Sequence, residues 1–303
     1  VRSLIERSGP FLPLARDAKR DGEDSESNPK YGGFVPPWFR RDMATFGDVL
    51  VDGAELLLHN PHFRAAVGEV YPDAAIIEPT TVYVNVMGPC AYPFVAHTDV
   101  PVFRFASRRN APVWLLGTML LSGLFETDRI RLVTAVSWLF DGPGGTFHYW
   151  PDGPTGARRE EPSPFANVAI VADNERVYHG VGPLGAADAP SPTGLSIDAR
   201  IDCDADRGWT IHDPDPVMSY SPADVRITMS WKAEVFDSEA ERARLRDTDD
   251  DLPIDRIVAT FMDDLRGRGL DVAAPDEPLT DERWIAALDA AYPSRAPRIP
   301  QTT

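Results

Sequence analysis

The chain has 303 residues, of which 43% are hydrophobic, and it carries a formal net charge of −17. This length and composition are typical of a globular protein with a substantial core, in one large domain or two small ones. The negative charge argues against phosphate backbones and anionic membranes as partners, and no apolar stretch reaches the ~18–20 residues that a membrane helix needs.

Cys90 and Cys203 are the only cysteines. Secreted disulfide scaffolds use more cysteines than this, so we interpret both as reduced thiols and expect a cytoplasmic protein.

The first 74 residues predict an arm followed by helices. Residues 15–35 are polar, charged and glycine-containing, which is typical of a loop. From Asp42 to about Tyr71, apolar residues recur at helical spacing, and Asn60-Pro61 interrupts the pattern.

Beyond Pro79 the apolar residues alternate, which predicts a strand whose polar face carries Tyr83 and Asn85. Short apolar runs separated by Gly/Pro turns continue this pattern. The predicted strands are Pro112–Ser122, Ile130–Phe140, Thr146–Trp150, Ala166–Ala172, Val177–Val181 and Val225–Val235. Many short strands of this kind favour a sandwich or barrel over a βαβ fold. Helical spacing returns near 238–247, 253–267 and 281–291.

Three residues have the composition of an iron(II) site. His97 and Asp99 are two positions apart, so an extended backbone directs both side chains to the same side. His179 follows a distant strand-like run that a jelly roll can bring opposite the first pair. Two imidazoles and one carboxylate form the ligand set of a mononuclear iron site with open positions. The alternative is that His97 and Asp99 only form a hydrogen bond in a turn and that His179 is a core residue.

The order H-x-D, distal histidine, then Arg226-Ile227-Thr228 resembles that of the iron(II)/2-oxoglutarate-dependent dioxygenases. The segments 144–151 and 179–183 are also similar to the glycine-led strand and the turn around that family's distal histidine. The resemblance covers roughly residues 75–235, without placing the chain in a subfamily. It implies a double-stranded β-helix, which is a cupin-like jelly roll. It also implies that His97, Asp99 and His179 bind Fe(II), that Arg226 binds the distal carboxylate of 2-oxoglutarate, and that Thr228 assists. The presence of Asp99 argues against the related halogenases, which lack this carboxylate.

The chain departs from the family pattern in one respect. A long segment, instead of a short hairpin, separates His179 from Arg226, and Arg200 lies closer to His179 as a rival. We favour Arg226 because its strand alternates polar and apolar residues. Residues 184–224 then form an insertion, which is either a lid over the iron or a surface hairpin.

The sequence therefore predicts a mainly β protein with flanking helices, forming a single oxygenase domain over residues 1–303. It comprises an arm and helices (1–74), a jelly-roll core (75–235) with the insertion 184–224, and C-terminal helices (236–303). Beside the ligand set and Arg226, the candidates for binding the co-substrate are Thr228, Tyr83 and Asn85. The candidates for binding the substrate are His148, Trp209 and His212.

The predicted reaction uses Fe(II), 2-oxoglutarate and O2 to hydroxylate, desaturate or cyclise a small molecule, with release of succinate and CO2. The protein is expected to be a monomer or a homodimer. Two alternatives remain open. One is a cupin-like metal enzyme that uses no 2-oxoglutarate, and the other is a non-catalytic small-molecule binding module.

Overall fold

The computed structural model describes residues 1–16, 34–204, 206, 208–247 and 252–299. Its strands are β1 (Leu12–Pro13), β2 (Trp38–Thr45), β3 (Asp48–Val49), β4 (Ile76–Met87), β5 (Phe94–His97), β6 (Val102–Phe103), β7 (Arg129–Trp138), β8 (Phe147–Trp150), β9 (Arg159–Glu161), β10 (Ala169–Ala172), β11 (Tyr178–Val181), β12 (Arg200–Cys203), β13 (Trp209–His212), β14 (Pro216–Tyr220) and β15 (Arg226–Phe236). Its helices are α1 (Arg2–Arg7), α2 (Glu55–Leu58), α3 (Pro61–Val70), α4 (Val113–Ser122), α5 (Glu239–Arg246), α6 (Ile254–Gly267) and α7 (Glu282–Ala291), with a 3-10 turn at Glu126–Asp128.

The larger sheet has the strand order β1-β2-β4-β15-β7-β10, with β3 paired to β2 and β6 paired to β7. Its centre is the antiparallel pair β4 and β15, which runs from the partners Ile76 and Phe236 to the partners Met87 and Arg226. The alternation in the sequence explains its two faces. On β4, for example, Val82 and Val84 are fully buried in the main core, whereas Tyr83 faces the cavity on the other side.

The smaller sheet has the order β5-β11-β8-β9. Residues of both sheets line one cavity, so the two sheets lie face to face around it. This arrangement is a double-stranded β-helix, and the predicted jelly-roll fold is confirmed.

The segment 184–224 folds into a third, three-stranded sheet, β12-β13-β14. An isolated bridge from Phe11 to Ile201 connects it to the N-terminal segment. Its buried residues Ile201, Trp209 and Ile211 belong to the same core as Val82 and its neighbours, which lies on the face of the large sheet opposite the cavity. None of the described residues of this segment is among those that line the cavity, so the three-stranded sheet gives the lid interpretation no support.

Two predicted elements are wrong. Val113–Ser122, which lies in the predicted strand Pro112–Ser122, is helix α4, ended by Gly123 in the left-handed conformation with φ 69°. A continuous apolar run carries no period, so strand and buried helix look alike in the sequence. The predicted helix from Asp42 is also wrong in its first part, because Trp38–Thr45 is strand β2. Its apolar residue Phe46 is 56% exposed beyond the end of that strand.

The later helices agree with the prediction. Helices α2 and α3 lie on either side of Asn60, whose side chain caps α3 by accepting the N–H groups of His62 and Phe63. Helices α5, α6 and α7 occupy the three predicted C-terminal segments. Most of the predicted loop 15–35 falls outside the described residues.

The C-terminal segment returns to the outer face of the small sheet. Ile299 packs there in a cluster with Ala96, Trp150 and Tyr178. Gly180 on β11 permits this approach, because a Cβ at that position would lie 2.4 Å from Ile299 Cδ1 and 2.6 Å from a backbone oxygen of β5.

None of the helices in the described part of the chain is long and apolar enough to cross a membrane.

Candidate metal centre

The three residues that the sequence singled out meet at one end of the cavity. His97 ends β5, and its antiparallel partner in register on β11 is His179. Asp99 lies two residues beyond His97, and its backbone N–H donates to the Asn174 carbonyl at 2.8 Å, which fixes the turn against the loop before β11. One potential ligand atom from each of the three side chains lies within 4.8 Å of the other two. Small side-chain adjustments would bring all three to the ~2.1 Å bonding distance of one metal ion.

Both imidazoles have the same tautomer, set by the backbone. The Nδ1 atom of His97 lies 2.9 Å from the Val95 carbonyl oxygen, and Nδ1 of His179 lies 2.9 Å from that of Val177. Since a carbonyl only accepts, each Nδ1 must carry the proton, which leaves the Nε2 lone pair available. Histidine ligands in metal sites are oriented in this way by a second hydrogen bond.

The two oxygens of Asp99 have different surroundings. Oδ1 lies 3.7 Å from His179 Nε2, on the side of the imidazoles. Oδ2 accepts from Lys232 Nζ at 2.7 Å and from the Thr134 hydroxyl at 3.4 Å. Burial alone would raise the pKa of Asp99, but the charge of Lys232 is the largest opposing cause, and the pKa lies well below its usual range. The carboxylate is therefore ionised and ready to bind a cation.

A buried network of hydrogen-bonded charged and polar side chains supports the loop that holds this turn. Arg129 Nη1 donates to Glu175 Oε2 at 2.5 Å, and Arg129 Nη2 donates to Asp173 Oδ2 at 3.3 Å. Glu175 is 1% exposed, and burial raises its pKa to about 8 although Arg129 opposes the shift. The hydroxyl of Tyr71 donates to Asp173 at 2.6 Å, which ties the loop to the end of α3.

The cavity continues from the metal ligands along the inner faces of both sheets. The large sheet contributes Tyr83, Asn85, Val136, Arg226, Thr228 and Ser230, and the small sheet contributes Phe94, Phe147, Gly180 and Val181. One wall is therefore largely polar and the other largely apolar.

Arg226 is a buried cation without a counter-ion among the described residues. It is 1% exposed, and its Nε donates to the Gly145 carbonyl at 3.1 Å while Nη1 donates to the Thr228 hydroxyl at 2.6 Å. Its Nη2 is buried and has no hydrogen-bond partner in the described part of the chain. Burial lowers the pKa of Arg226 to about 9. Buried donors in native proteins are almost always satisfied, so this guanidinium fits an anionic group supplied by a ligand.

The glycine pair of the sequence motif makes room for this arginine. Gly145 has a φ of +68°, and a Cβ there would lie 2.9 Å from Arg226 Cδ and 2.9 Å from Leu184 Cδ1. Only glycine meets both requirements without strain.

The predicted co-substrate residues all line the same cavity. Asn85 Oδ1 accepts from Arg40 Nε at 3.0 Å, and the Arg40 guanidinium lies 4.1 Å above the Tyr83 ring centroid. Sequence reasoning missed Arg40 because residues 1–74 were predicted to form an arm and helices and not a strand of the sheet.

The rival arginine and the predicted substrate residues lie elsewhere. Arg200 is on β12, where it is 44% exposed with its Nε 3.4 Å from Asp202 Oδ2. Trp209 is fully buried in the core on the far face of the large sheet, and His212 ends the same strand, β13. His148 is buried on β8, one residue from the cavity-lining Phe147, with its Nδ1 3.3 Å from Glu160. The structure brings none of the four to the cavity lining.

Lys232 is the other residue that sequence reasoning missed, although its signal was present. It belongs to the alternating polar set Arg226, Thr228, Ser230 and Lys232 that indicated the inner face of β15. A positive charge on that inner face could have indicated that Lys232 lies near the predicted metal ligands.

Comparison with known proteins gave structural neighbours only. No family model matches the chain, and no curated protein matches it. One similar solved structure is an oxidoreductase of the 2OG-Fe(II) oxygenase family from Burkholderia pseudomallei, with 12% identity, a TM-score of 0.36, and coverage of 65% of this chain and 67% of the other. HygX from Streptomyces hygroscopicus, solved with nickel and 2-oxoglutarate bound, has 9% identity, a TM-score of 0.37, and coverage of 77% and 76%.

A Trichoplax adhaerens prolyl hydroxylase, in complex with a hypoxia inducible factor peptide, has 14% identity, a TM-score of 0.34, and coverage of 71% and 76%.

Proposed function

We propose that this protein is an Fe(II)- and 2-oxoglutarate-dependent oxygenase that acts on a small molecule. The observation that carries the proposal is the content of one cavity, which has an oriented His/Asp/His set at one end and a buried arginine with an unsatisfied donor at the other. The first feature fits a metal ion, the second fits a carboxylate, and 2-oxoglutarate has a metal-chelating end and a carboxylate end.

The donor set suits iron(II). His97 and His179 would bind through Nε2 and Asp99 through Oδ1, because the other polar atom of each side chain is already engaged. Two imidazoles and a carboxylate on one side of the ion leave the opposite positions open. When bound there, iron would supply oxygen activation, with one oxygen atom entering succinate and the other available to oxidise the substrate.

The arginine end would orient the co-substrate. Arg226 presents a planar fork, of which Nε and Nη1 are held by Gly145 and Thr228 and Nη2 is available. A carboxylate there would gain charge-assisted hydrogen bonds and complete the ion pair that the buried guanidinium lacks. The Thr228 hydroxyl lies beside it and would accept or donate a further bond.

The remaining walls would separate the substrate from water. Phe94, Val136 and Phe147 form apolar surface beside the metal ligands, and Tyr83 and Asn85 form a polar surface with Arg40 on the large sheet. We expect a small substrate to lie between them, with hydroxylation as the default outcome and desaturation or ring formation as variants of the same oxidation.

The decisive test is spectroscopic. Fe(II) and 2-oxoglutarate are added to the protein without oxygen, and we expect a visible metal-to-ligand charge-transfer band. His179→Ala should abolish the band, and Arg226→Met should weaken 2-oxoglutarate binding by about 10²-fold, as expected when a buried ion pair is lost. Arg200→Met removes an arginine outside the cavity and is the matched control.

Absence of the band in the unaltered protein contradicts the proposal. A protein that binds iron but responds equally to Arg226→Met and Arg200→Met would instead be a metal enzyme without an oxo-acid. A protein indifferent to His97→Ala would be a binding module.

A further inference from the structure

Lys232 has no role in the proposed reaction, yet it contacts a metal ligand. It lies on the inner face of β15, between Thr81 on β4 and Thr134 on β7 in the strand registers. Its side chain is 15% exposed, and its Nζ lies 2.7 Å from Asp99 Oδ2. Contact with water does not explain why a lysine is retained in this buried position.

Metal affinity does not provide that explanation. A fixed positive charge in contact with a metal ligand repels a second cation bound to the same carboxylate. Taken alone, Lys232 therefore weakens metal binding. Its contribution must lie in where it places the carboxylate.

The two oxygens of Asp99 show what Lys232 does. Oδ2 is held by Lys232 and, at longer range, by Thr134, while Oδ1 alone is directed towards His179. A carboxylate held in this way offers one oxygen to a metal ion. Without Lys232 it is free to rotate and bind the ion with both oxygens, as carboxylates commonly do.

We propose that Lys232 is a positioning residue that keeps Asp99 a one-oxygen ligand. The inference rests on the proposed function, because it explains how the site keeps enough open positions. With three protein donor atoms, a six-coordinate ion retains about three positions, which suffice for a two-atom chelating co-substrate and oxygen. A two-oxygen Asp99 takes one of these positions.

The first measurement needs neither 2-oxoglutarate nor turnover. Mn(II) is bound to the unaltered protein and to Lys232→Met, and water-proton relaxation counts the exchangeable waters on the ion. We expect about three waters in the unaltered protein and about two in the variant, because Mn(II) favours octahedral coordination. The Mn(II) dissociation constant of the variant should be equal or lower, since a repelling charge has been removed.

The second measurement connects this count to the co-substrate. Anaerobic titration of the Co(II) protein with 2-oxoglutarate should give a dissociation constant about 10-fold higher for Lys232→Met than for the unaltered protein, within the range seen when a residue behind a metal ligand is changed. The matched control is Arg246→Met. Arg246 lies on α5 and pairs with Glu234, which is on the same strand as Lys232 but away from the cavity. This variant should change neither value.

Each outcome decides the matter. Equal water counts and equal 2-oxoglutarate affinities in Lys232→Met and the unaltered protein would overturn the inference, and so would loss of Mn(II) binding in a folded Lys232→Met protein. If Lys232→Met does not fold, Lys232→Gln and Thr134→Val carry the same test with smaller expected changes. If the unaltered protein binds Mn(II) but not 2-oxoglutarate, the proposed function fails while the water count still tests Lys232.

Discussion

The two ends of the cavity differ in how their charges are balanced. At the metal end, Asp99 is paired with Lys232 and both imidazoles are hydrogen-bonded to backbone carbonyls. At the other end, Arg226 is more deeply buried but has no carboxylate partner in the described part of the chain and keeps one donor unsatisfied. Under the proposed function, the protein itself prepares the metal end, whereas a bound anion would complete the arginine end. A protein can thus bind one ligand through a preorganised site at one end and through an incomplete ion pair at the other end.

The largest expected effect comes from removing one of the three residues at the metal end. His97→Ala removes one of three donors, and we expect the Fe(II) or Co(II) dissociation constant to rise by about 10²–10³-fold, equivalent to ~3–4 kcal/mol. Isothermal titration with Co(II) under anaerobic conditions measures it. His148→Ala, which removes a histidine from the other face of β8, is the control and should bind metal normally.

The next effect comes from a substitution beside Arg226, at Gly145. Gly145→Ala forces a side chain onto a backbone with φ +68° and drives its Cβ towards Arg226 and Leu184. We expect a loss of ~2–3 kcal/mol in the free energy of unfolding, from backbone strain together with the contact. Urea denaturation measures this loss. Gly153→Ala, at a turn with φ +83° and nothing within 4 Å, isolates the backbone part and should cost less.

A third change sharpens the comparison because it should stabilise the protein. Arg226→Met removes a buried charge with no carboxylate partner in the described part of the chain, and we expect the ligand-free protein to gain ~1–2 kcal/mol in the free energy of unfolding, net of the three lost hydrogen bonds. Since burial lowers the pKa of Arg226 to about 9, the gain should be full below that pH and should shrink above it.

The same denaturation series at pH 7 and pH 10 checks this. A loss of stability at pH 7 would mean that the guanidinium is already paired.

The smallest effect concerns the network behind the metal end. Burial raises the pKa of Glu175 to about 8, above its ordinary value of 4.5, so its contribution to stability is present at low pH and is lost as the pH rises towards 8. Glu175→Gln should therefore become progressively more stable than the unaltered protein as the pH rises from 5 to 8, with the smallest gain near pH 5. Parallel curves of unfolding free energy against pH would contradict this.

The sequence predicted most where periodicity and chemistry agreed. Alternation on β4 and β15 predicted their two faces, and the sparse histidines predicted which side chains meet in the metal centre. It failed where apolar residues carried no period, as in α4, or where they lie exposed beyond the end of a strand, as Phe46 does.

Contacts between residues distant in the chain were the other limit. No local pattern shows that Lys232 reaches Asp99 or that Arg129 closes on Glu175, because both pairs form only when strands from different parts of the chain come together. The position of the insertion 184–224 likewise depends on packing that no local pattern shows, because Trp209 packs with residues on the far face of the large sheet.

The contact between Gly180 and Ile299 has a practical consequence for handling the protein. The strand that carries His179 is packed on its outer side by Ile299. A substitution or truncation that removes Ile299 would uncover the backbone next to a candidate metal ligand, so weak metal loading in such material would reflect lost packing and not the chemistry of the site.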